Sequence, residues 1–117
     1  MSIDDLYKRS KNFAIRVFKF IETLPKSKGT DVISYQLLKA ASSVAANHRA
    51  TKRAKSKADF INKLNVVQEE SDESLFWLEF IKDLNITDNP ELDLLIKEAN
   101  ELTSIFTSSI ITSKSKK

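Results

Sequence analysis

The 117 residues predict an all-α fold, an antiparallel up-down-up-down bundle of four helices. Apolar residues recur at helical spacing in four stretches, which predict helices over about residues 2–24, 31–54, 57–85 and 90–112. One glycine and two prolines leave little material for the tight turns of a fold with many strands. We therefore expect a single domain over residues 1–117, with a frayed basic tail at 113–117.

The first two predicted helices are marked by their ends. Ser2 can cap the first helix, and Asp5 places a carboxylate in its first turn, where it meets the positive end of the helix dipole. Pro25 and Gly29 end that helix, and Thr30–Asp31 begin the second. The stripe predicted to be buried on the second helix is Ile33, Leu37, Ala41, Val44 and His48.

The last two helices also begin with capping residues. Ser56, followed three positions later by Asp59, resembles a capping box and separates the second helix from the third. Asn89 before Pro90 starts the fourth helix, because proline is favoured at the first helical position. The predicted core positions are Phe60, Leu64, Val67, Ser71 and Leu78 on the third helix, and Leu92, Leu95, Ala99, Leu102 and Phe106 on the fourth.

Charge is segregated along the chain. No acidic residue lies between Asp31 and Asp59, a stretch that includes the basic segment, which we define by Arg49, Lys52, Arg53, Lys55 and Lys57. The third helix carries an acidic segment, which we define by Glu69, Glu70 and Glu73. Clustered bases attract the phosphates of RNA or DNA, so the basic segment is the candidate nucleic-acid site. The alternatives are a solvated corner of the bundle or pairing with acids.

Antiparallel register argues against pairing of these two segments within one chain. If the second helix ends near residues 54–56, Arg49 lies level with about Asn62, and Glu70 lies about 12 Å further along the third helix. Lys39 is better placed to reach Glu73. The basic segment is therefore either free for a polyanion or paired with the acidic segment of another subunit, which would fix the register between protomers.

The third helix carries a second apolar face, nearly opposite its core stripe. We call this face the aromatic patch and define it by Val66, Phe76, Trp77, Phe80 and Leu84. One bundle cannot bury both faces, so we predict that the patch is an interface between copies of the chain. The alternative is that the start of the first helix or the end of the fourth folds across it.

No pattern of catalytic or metal-binding residues is found. The chain has no cysteine and a single histidine, and the residue three before His48 is Ala45, where a di-iron bundle would carry glutamate. Glycine-rich nucleotide loops are absent as well. We predict no enzyme, cofactor, metal or small-molecule substrate, and we interpret His48 as a partly buried residue bonded to a neighbour. Phosphate or ligand contact beside the bases is its alternative role.

The predicted location follows from the N-terminus and from hydropathy. The start of the chain is too polar and acidic for a signal peptide. No apolar run approaches the roughly 20 residues that cross a bilayer. We expect a cytoplasmic protein without membrane contact.

Residues Ser42–Ile81, with the stretches "AANHRA", "RAKSKADFINKL" and "EESDESLFWLE", resemble a bacterial family of proteins encoded by intervening sequences within 23S ribosomal RNA genes. The family also carries an S23 ribosomal-protein label, which reflects gene location. His48 stands where the family pattern leads us to expect an aromatic such as tyrosine, and Asn65 where we expect glycine.

The resemblance implies an up-down bundle that forms a homo-oligomer, typically a pentamer, with no established enzymatic activity. It also implies kinship with the accessory variability protein of diversity-generating retroelements, a basic pentamer that works with nucleic acid and a reverse transcriptase. The resemblance also implies a structural or interfacial role for eight residues: Asn47, Arg49, Arg53, Phe60, Glu69, Glu70, Glu73 and Trp77.

Residues and resemblance together predict a non-enzymatic homo-oligomeric bundle that binds RNA or DNA through the basic segment. The alternative is a module for protein–protein assembly with no role in nucleic-acid binding.

Overall fold

The computed structural model describes residues 1–116, and within them it contains four α helices and one short 3-10 turn. The helices are α1 (Ile3–Ile21), α2 (Lys28–Ala50), α3 (Lys57–Leu84) and α4 (Glu91–Ser115), and the 3-10 turn Thr51–Arg53 follows α2. Each helix packs on the next along the chain, and α4 returns to α1, as an up-down-up-down bundle requires. The predicted all-α fold class is confirmed.

The turn between α1 and α2 differs from the prediction. α1 ends at Ile21, and α2 begins at Lys28, three residues before the predicted start. The N-cap of α2 is Ser27, whose hydroxyl accepts a hydrogen bond from the backbone N–H of Thr30. Gly29 therefore lies in the first turn of α2 and does not end α1. Two hydroxyl residues three positions apart are both plausible caps, and the sequence alone favoured the wrong one.

α2 ends at Ala50, short of the predicted residue 54, because the chain tightens into the 3-10 turn, whereas both ends of α3 and the start of α4 lie within one residue of their predicted positions. α3 begins at Lys57 as predicted and ends at Leu84, after which Asn85 adopts the left-handed conformation, with φ 54°. Asn89 caps the start of α4 by accepting from the backbone N–H of Glu91 at 3.0 Å. α4 remains helical through residues 113–115, which were predicted as tail, and Lys117 lies outside the described residues.

The serine caps of α1 and α3 differ in completeness. At α1, Ser2 and Asp5 form a reciprocal capping box, in which each side chain accepts from the other's backbone N–H. At α3, Ser56 accepts from the N–H of Asp59 as predicted, but the Asp59 carboxylate accepts from the N–H of Lys55. The carboxylate thereby also fixes the connection that precedes α3.

The core runs the length of a bundle that measures 50 × 23 × 21 Å. All five predicted positions on α4 are buried, as are Leu64, Val67, Ser71 and Leu78 on α3, whereas Phe60 is half-buried. The buried hydroxyl of Ser71 forms a hydrogen bond with Thr103 at 2.8 Å, which links α3 to α4. The largest fully buried apolar side chains are Phe13, Phe106, Leu37, Leu78, Ile81, Leu95 and Leu102.

The seam between α1 and α4 is the loosest in the bundle, because these helices contact each other less extensively than the other neighbouring pairs. Ion pairs bridge it instead: Arg9 donates to Glu98 and Glu101, at 2.6 Å each, and Arg16 donates to Glu91 at 2.7 Å. Between these bridges and the start of α1, the seam opens into a cavity.

Candidate nucleic-acid interface

The basic segment lies at the end of the bundle where α1 and α3 begin and α2 and α4 end. Arg49, Lys52, Arg53, Lys55 and Lys57 are all exposed. The five ion pairs among residues 1–116 involve other cations, so none of these side chains is paired with a carboxylate in the described part of the chain. No carboxylate among the described residues therefore neutralises their charge.

Two further bases from α1 join this surface. Lys8 and Lys11 are exposed, and together with Arg49 and Lys52 they line a groove of about 580 Å³ between α1 and α2. We call the five residues of the basic segment, with Lys8 and Lys11, the basic end. The small side chains that line the same groove are Ala14, Ser42, Ala45 and Ala46.

Sequence reasoning missed Lys8 and Lys11, although a signal for them exists. They are three residues apart and so lie on one face of α1. The charge pattern of a single helix does not show that α1 packs beside α2. Without that packing, Lys8 and Lys11 are not recognised as neighbours of the basic segment.

A chain of hydrogen bonds ties the end of α2 to α1. Lys52 Nζ lies 4.3 Å from the centre of the Tyr7 ring, which favours a nearby cation. The Tyr7 hydroxyl forms a 2.7 Å hydrogen bond with Thr51 Oγ1, and Thr51 donates to the carbonyl of His48 at 2.6 Å. The 3-10 turn that carries Lys52 and Arg53 is therefore held against α1, and the groove between the helices has a fixed wall.

His48 is buried at this end of the bundle, with 4% of its surface exposed. Its ring stacks on Tyr7 at 4.1 Å and meets the edge of Phe106 at 5.0 Å, while Nδ1 lies 2.8 Å from Ser10 Oγ. Burial, and next the charge of Lys52, lowers the pKa of His48 to about 4. The predicted packed histidine is thus found, and it is uncharged near neutral pH.

The acidic segment is not paired with bases within the described chain. Glu69 and Glu73 are exposed and Glu70 is half-buried on α3. Burial first, and then the neighbouring carboxylate of Glu73, raises the pKa of Glu70, although the charge of Lys39 acts in the opposite direction. The expected ion pair of Lys39 with Glu73 is not present among residues 1–116.

The aromatic patch is only partly open. Val66, Phe76 and Leu84 are exposed, with Phe76 at 55%, whereas Trp77 and Phe80 are half-buried. The Phe76 ring stacks on Phe80 at 6.0 Å and meets the edge of Trp77 at 5.0 Å. Indole Nε1 of Trp77 is buried and has no acceptor among the described residues. Phe76 therefore offers a partner more apolar surface than Trp77 does.

The alternative cover for the aromatic patch is not found. The start of α1 and the end of α4 meet at the opposite end of the bundle, where Ile3 and Thr112 line one cavity. The α4 residue beside Phe76 and Phe80 is Ile96, from the first half of that helix. No segment within residues 1–116 folds across the exposed Phe76.

The described part of the chain contains neither a metal-binding cluster nor a helix that could span a membrane. No group of three or more His, Cys, Asp or Glu side chains in residues 1–116 is arranged to hold a metal ion. Likewise, no helix in that range combines the length and the apolar character needed to span a bilayer.

Fold and surface together define a small all-α bundle in which seven exposed bases gather at one end. Residues 4–108 match the family model described as 23S rRNA-intervening sequence protein, and the chain belongs to this family. The resemblance carried by residues Ser42–Ile81 is thereby confirmed.

A solved structure of similar fold comes from Bacteroides thetaiotaomicron and is described as a protein with unknown function from the S23 ribosomal protein family. It shares 29% sequence identity and a TM-score of 0.84 with this chain, over 94% of this chain and 98% of that one. Among curated proteins, none matches this chain.

Proposed function

We propose that the protein is a non-enzymatic homo-oligomer that binds RNA or DNA through its basic end. The observation that carries this proposal is a set of seven exposed bases, gathered from α1, the end of α2, the connection to α3 and the first residue of α3, with no carboxylate paired to them in residues 1–116. Nucleic-acid phosphates attract such a cluster and release counterions on binding.

Self-association through the aromatic patch is the second part of the proposal. Phe76, Val66 and Leu84 expose apolar surface on one helix face, and removing such surface from water favours association. We propose a ring, a pentamer as the resemblance implies. Copies related by a cyclic axis point the same way along that axis, so a ring of bundles parallel to it would place all basic ends on one side. Phosphate contacts from several copies would then act together on one nucleic acid.

The test of nucleic-acid binding is fluorescence anisotropy with labelled RNA and DNA oligonucleotides across a range of salt concentrations. Affinity is expected to fall steeply with salt, and the triple variant Arg49→Glu, Lys52→Glu, Arg53→Glu is expected to bind more weakly and with a shallower salt slope. The matched control reverses three exposed bases at the other end of the bundle, Lys19, Lys26 and Lys28, and so makes the same change in net charge.

Two outcomes would refute this part of the proposal. One is no binding at about 50 mM salt, where phosphate contacts are strong. The other is an equal loss of affinity in the two triple variants. That result would mean that net charge alone determines binding and that the basic end has no special part in it.

The unpaired acidic segment favours a second candidate, an assembly module with no nucleic-acid role. In that case the basic end of one subunit pairs with Glu69, Glu70 and Glu73 of another. Light scattering after size-exclusion chromatography distinguishes the two candidates. The Arg49, Lys52, Arg53 triple variant dissociates an assembly built on this pairing, whereas it leaves intact an oligomer built on the aromatic patch.

A further inference from the structure

A cavity of about 620 Å³ opens where the seam between α1 and α4 is loosest. Apolar side chains from three helices line it, chiefly Leu6 on α1, Phe60 and Leu64 on α3 and Ile105 on α4. His48 also borders this cavity. Serine and threonine hydroxyls of α4 complete the lining, and His48 differs from them in having a nearly buried ring with a nitrogen that can bond a bound molecule.

The donor and acceptor roles in the Ser10–His48 contact depend on the tautomer of His48, and the second bond of Ser10 favours one tautomer. The Ser10 hydroxyl has one hydrogen, and it donates to the carbonyl of Tyr7 at 3.0 Å. Ser10 Oγ must therefore accept from His48, which places the imidazole hydrogen on Nδ1 in their 2.8 Å contact. The other nitrogen, Nε2, is then a bare acceptor. It makes no hydrogen bond to any residue in 1–116, and it is not among their fully enclosed unpaired polar atoms.

We propose that this cavity binds a small, mostly apolar, neutral molecule that donates one hydrogen bond to His48 Nε2. An anion is disfavoured at this position, because an acceptor without a proton repels a carboxylate or phosphate oxygen. A cation is disfavoured as well, because Lys52 lies close to the ring and Lys116 lines the cavity. The remaining class is a neutral donor on an apolar body, such as an aromatic N–H, a phenol or an alcohol.

Indole and 1-methylindole are the probes, since they share the same ring system and only indole carries an N–H. Each is titrated into the full-length protein, and binding is followed by backbone amide shifts and by the ¹⁵N resonance of His48 Nε2. Indole is expected to shift that resonance and the amides near Ile105, and to bind about tenfold more tightly than 1-methylindole, the factor that one net hydrogen bond supplies.

The wild-type comparison is sufficient to refute the proposal. Equal affinities, tighter binding of 1-methylindole, or no shift at millimolar indole would each overturn it, because the additional methyl group strengthens purely apolar binding. Two variants locate the site. His48→Phe keeps an aromatic ring and is expected to abolish the preference for indole. Ile105→Trp fills the cavity and is expected to abolish binding of both probes. If this variant still binds the probes, they bind elsewhere and the proposed site is wrong.

Discussion

Lowering the pH from about 7 to about 5 is expected to destabilise the bundle by about 2 kcal/mol through His48 alone. The pKa of this residue is about 4 in the folded protein, against 6.5 as its ordinary value. Between these two values the unfolded chain binds a proton that the native state does not, so unfolding becomes more favourable as the pH falls. At about 1.4 kcal/mol per pKa unit, the loss is about 3 kcal/mol near pH 4 and approaches its full value of about 3.5 kcal/mol at lower pH. From about one pH unit above 6.5 the residue is neutral in both states and adds no pH dependence.

The assay for His48 is urea unfolding, followed by circular dichroism at several pH values, for the wild type and for His48→Phe. The variant keeps an aromatic ring between Tyr7 and Phe106 but cannot titrate, so subtracting its curve removes the contributions of Asp5 and Asp59, whose pKa values hydrogen bonds lower. Burial lowers the pKa of His48 more than the charge of Lys52 does. Lys52→Met is therefore expected to recover only the smaller part of the stability that is lost at acidic pH. Parallel loss of stability by wild type and His48→Phe between pH 6.5 and 5 would refute the reasoning.

Three further predictions concern assembly, packing and capping. Phe76→Glu is expected to dissociate the proposed oligomer in light scattering at unchanged helicity, while the equally exposed Val32→Glu on α2 leaves it intact. Leu102→Ala removes a fully buried side chain and should cost about 3 kcal/mol in urea unfolding, whereas the exposed Leu94→Ala should cost far less. Ser56→Ala removes the cap of α3 and should cost about 1 kcal/mol, with the exposed mid-helix Ser42→Ala as its control; equal losses would contradict the assigned cap.

The helices were predictable because their signals are local. Apolar spacing locates five of the six buried residues of α4 and misses only Ile110, and Ser2 and Ser56 are caps that depend on neighbours three residues away. The start of α2 was misplaced because Ser27 and Thr30 are both acceptable caps, and choosing between them requires the backbone path. In the structure Thr30 is buried, and its N–H donates to Ser27. Tertiary packing therefore determines which residue caps α2, and local helix propensity alone does not.

The surface was less predictable, because it depends on which helices are neighbours. Lys8 and Lys11 belong to the basic end only through the packing of α1 on α2, which no single helix reveals. The aromatic patch was defined by the angular position of its residues around the axis of the third helix. Angular position does not show how far a large side chain extends toward the core. Trp77 packs against the core, and Phe80 is half-buried in contact with the rings of Phe76 and Trp77, while Phe76 stays exposed.

The aromatic patch and the basic end lie in different parts of the bundle, so their effects on nucleic-acid binding can be separated. A hairpin with a stem of about seven base pairs matches the 23 Å width of one bundle, at 3.4 Å per base pair. Phe76→Glu keeps every base of the basic end, so it should bind this hairpin as the wild type does. On a duplex long enough to contact several copies, its affinity should fall by about 10² because the link between copies is lost. Equal losses on both lengths would mean that Phe76 supports the basic end directly, and the proposed division between assembly and binding would be wrong.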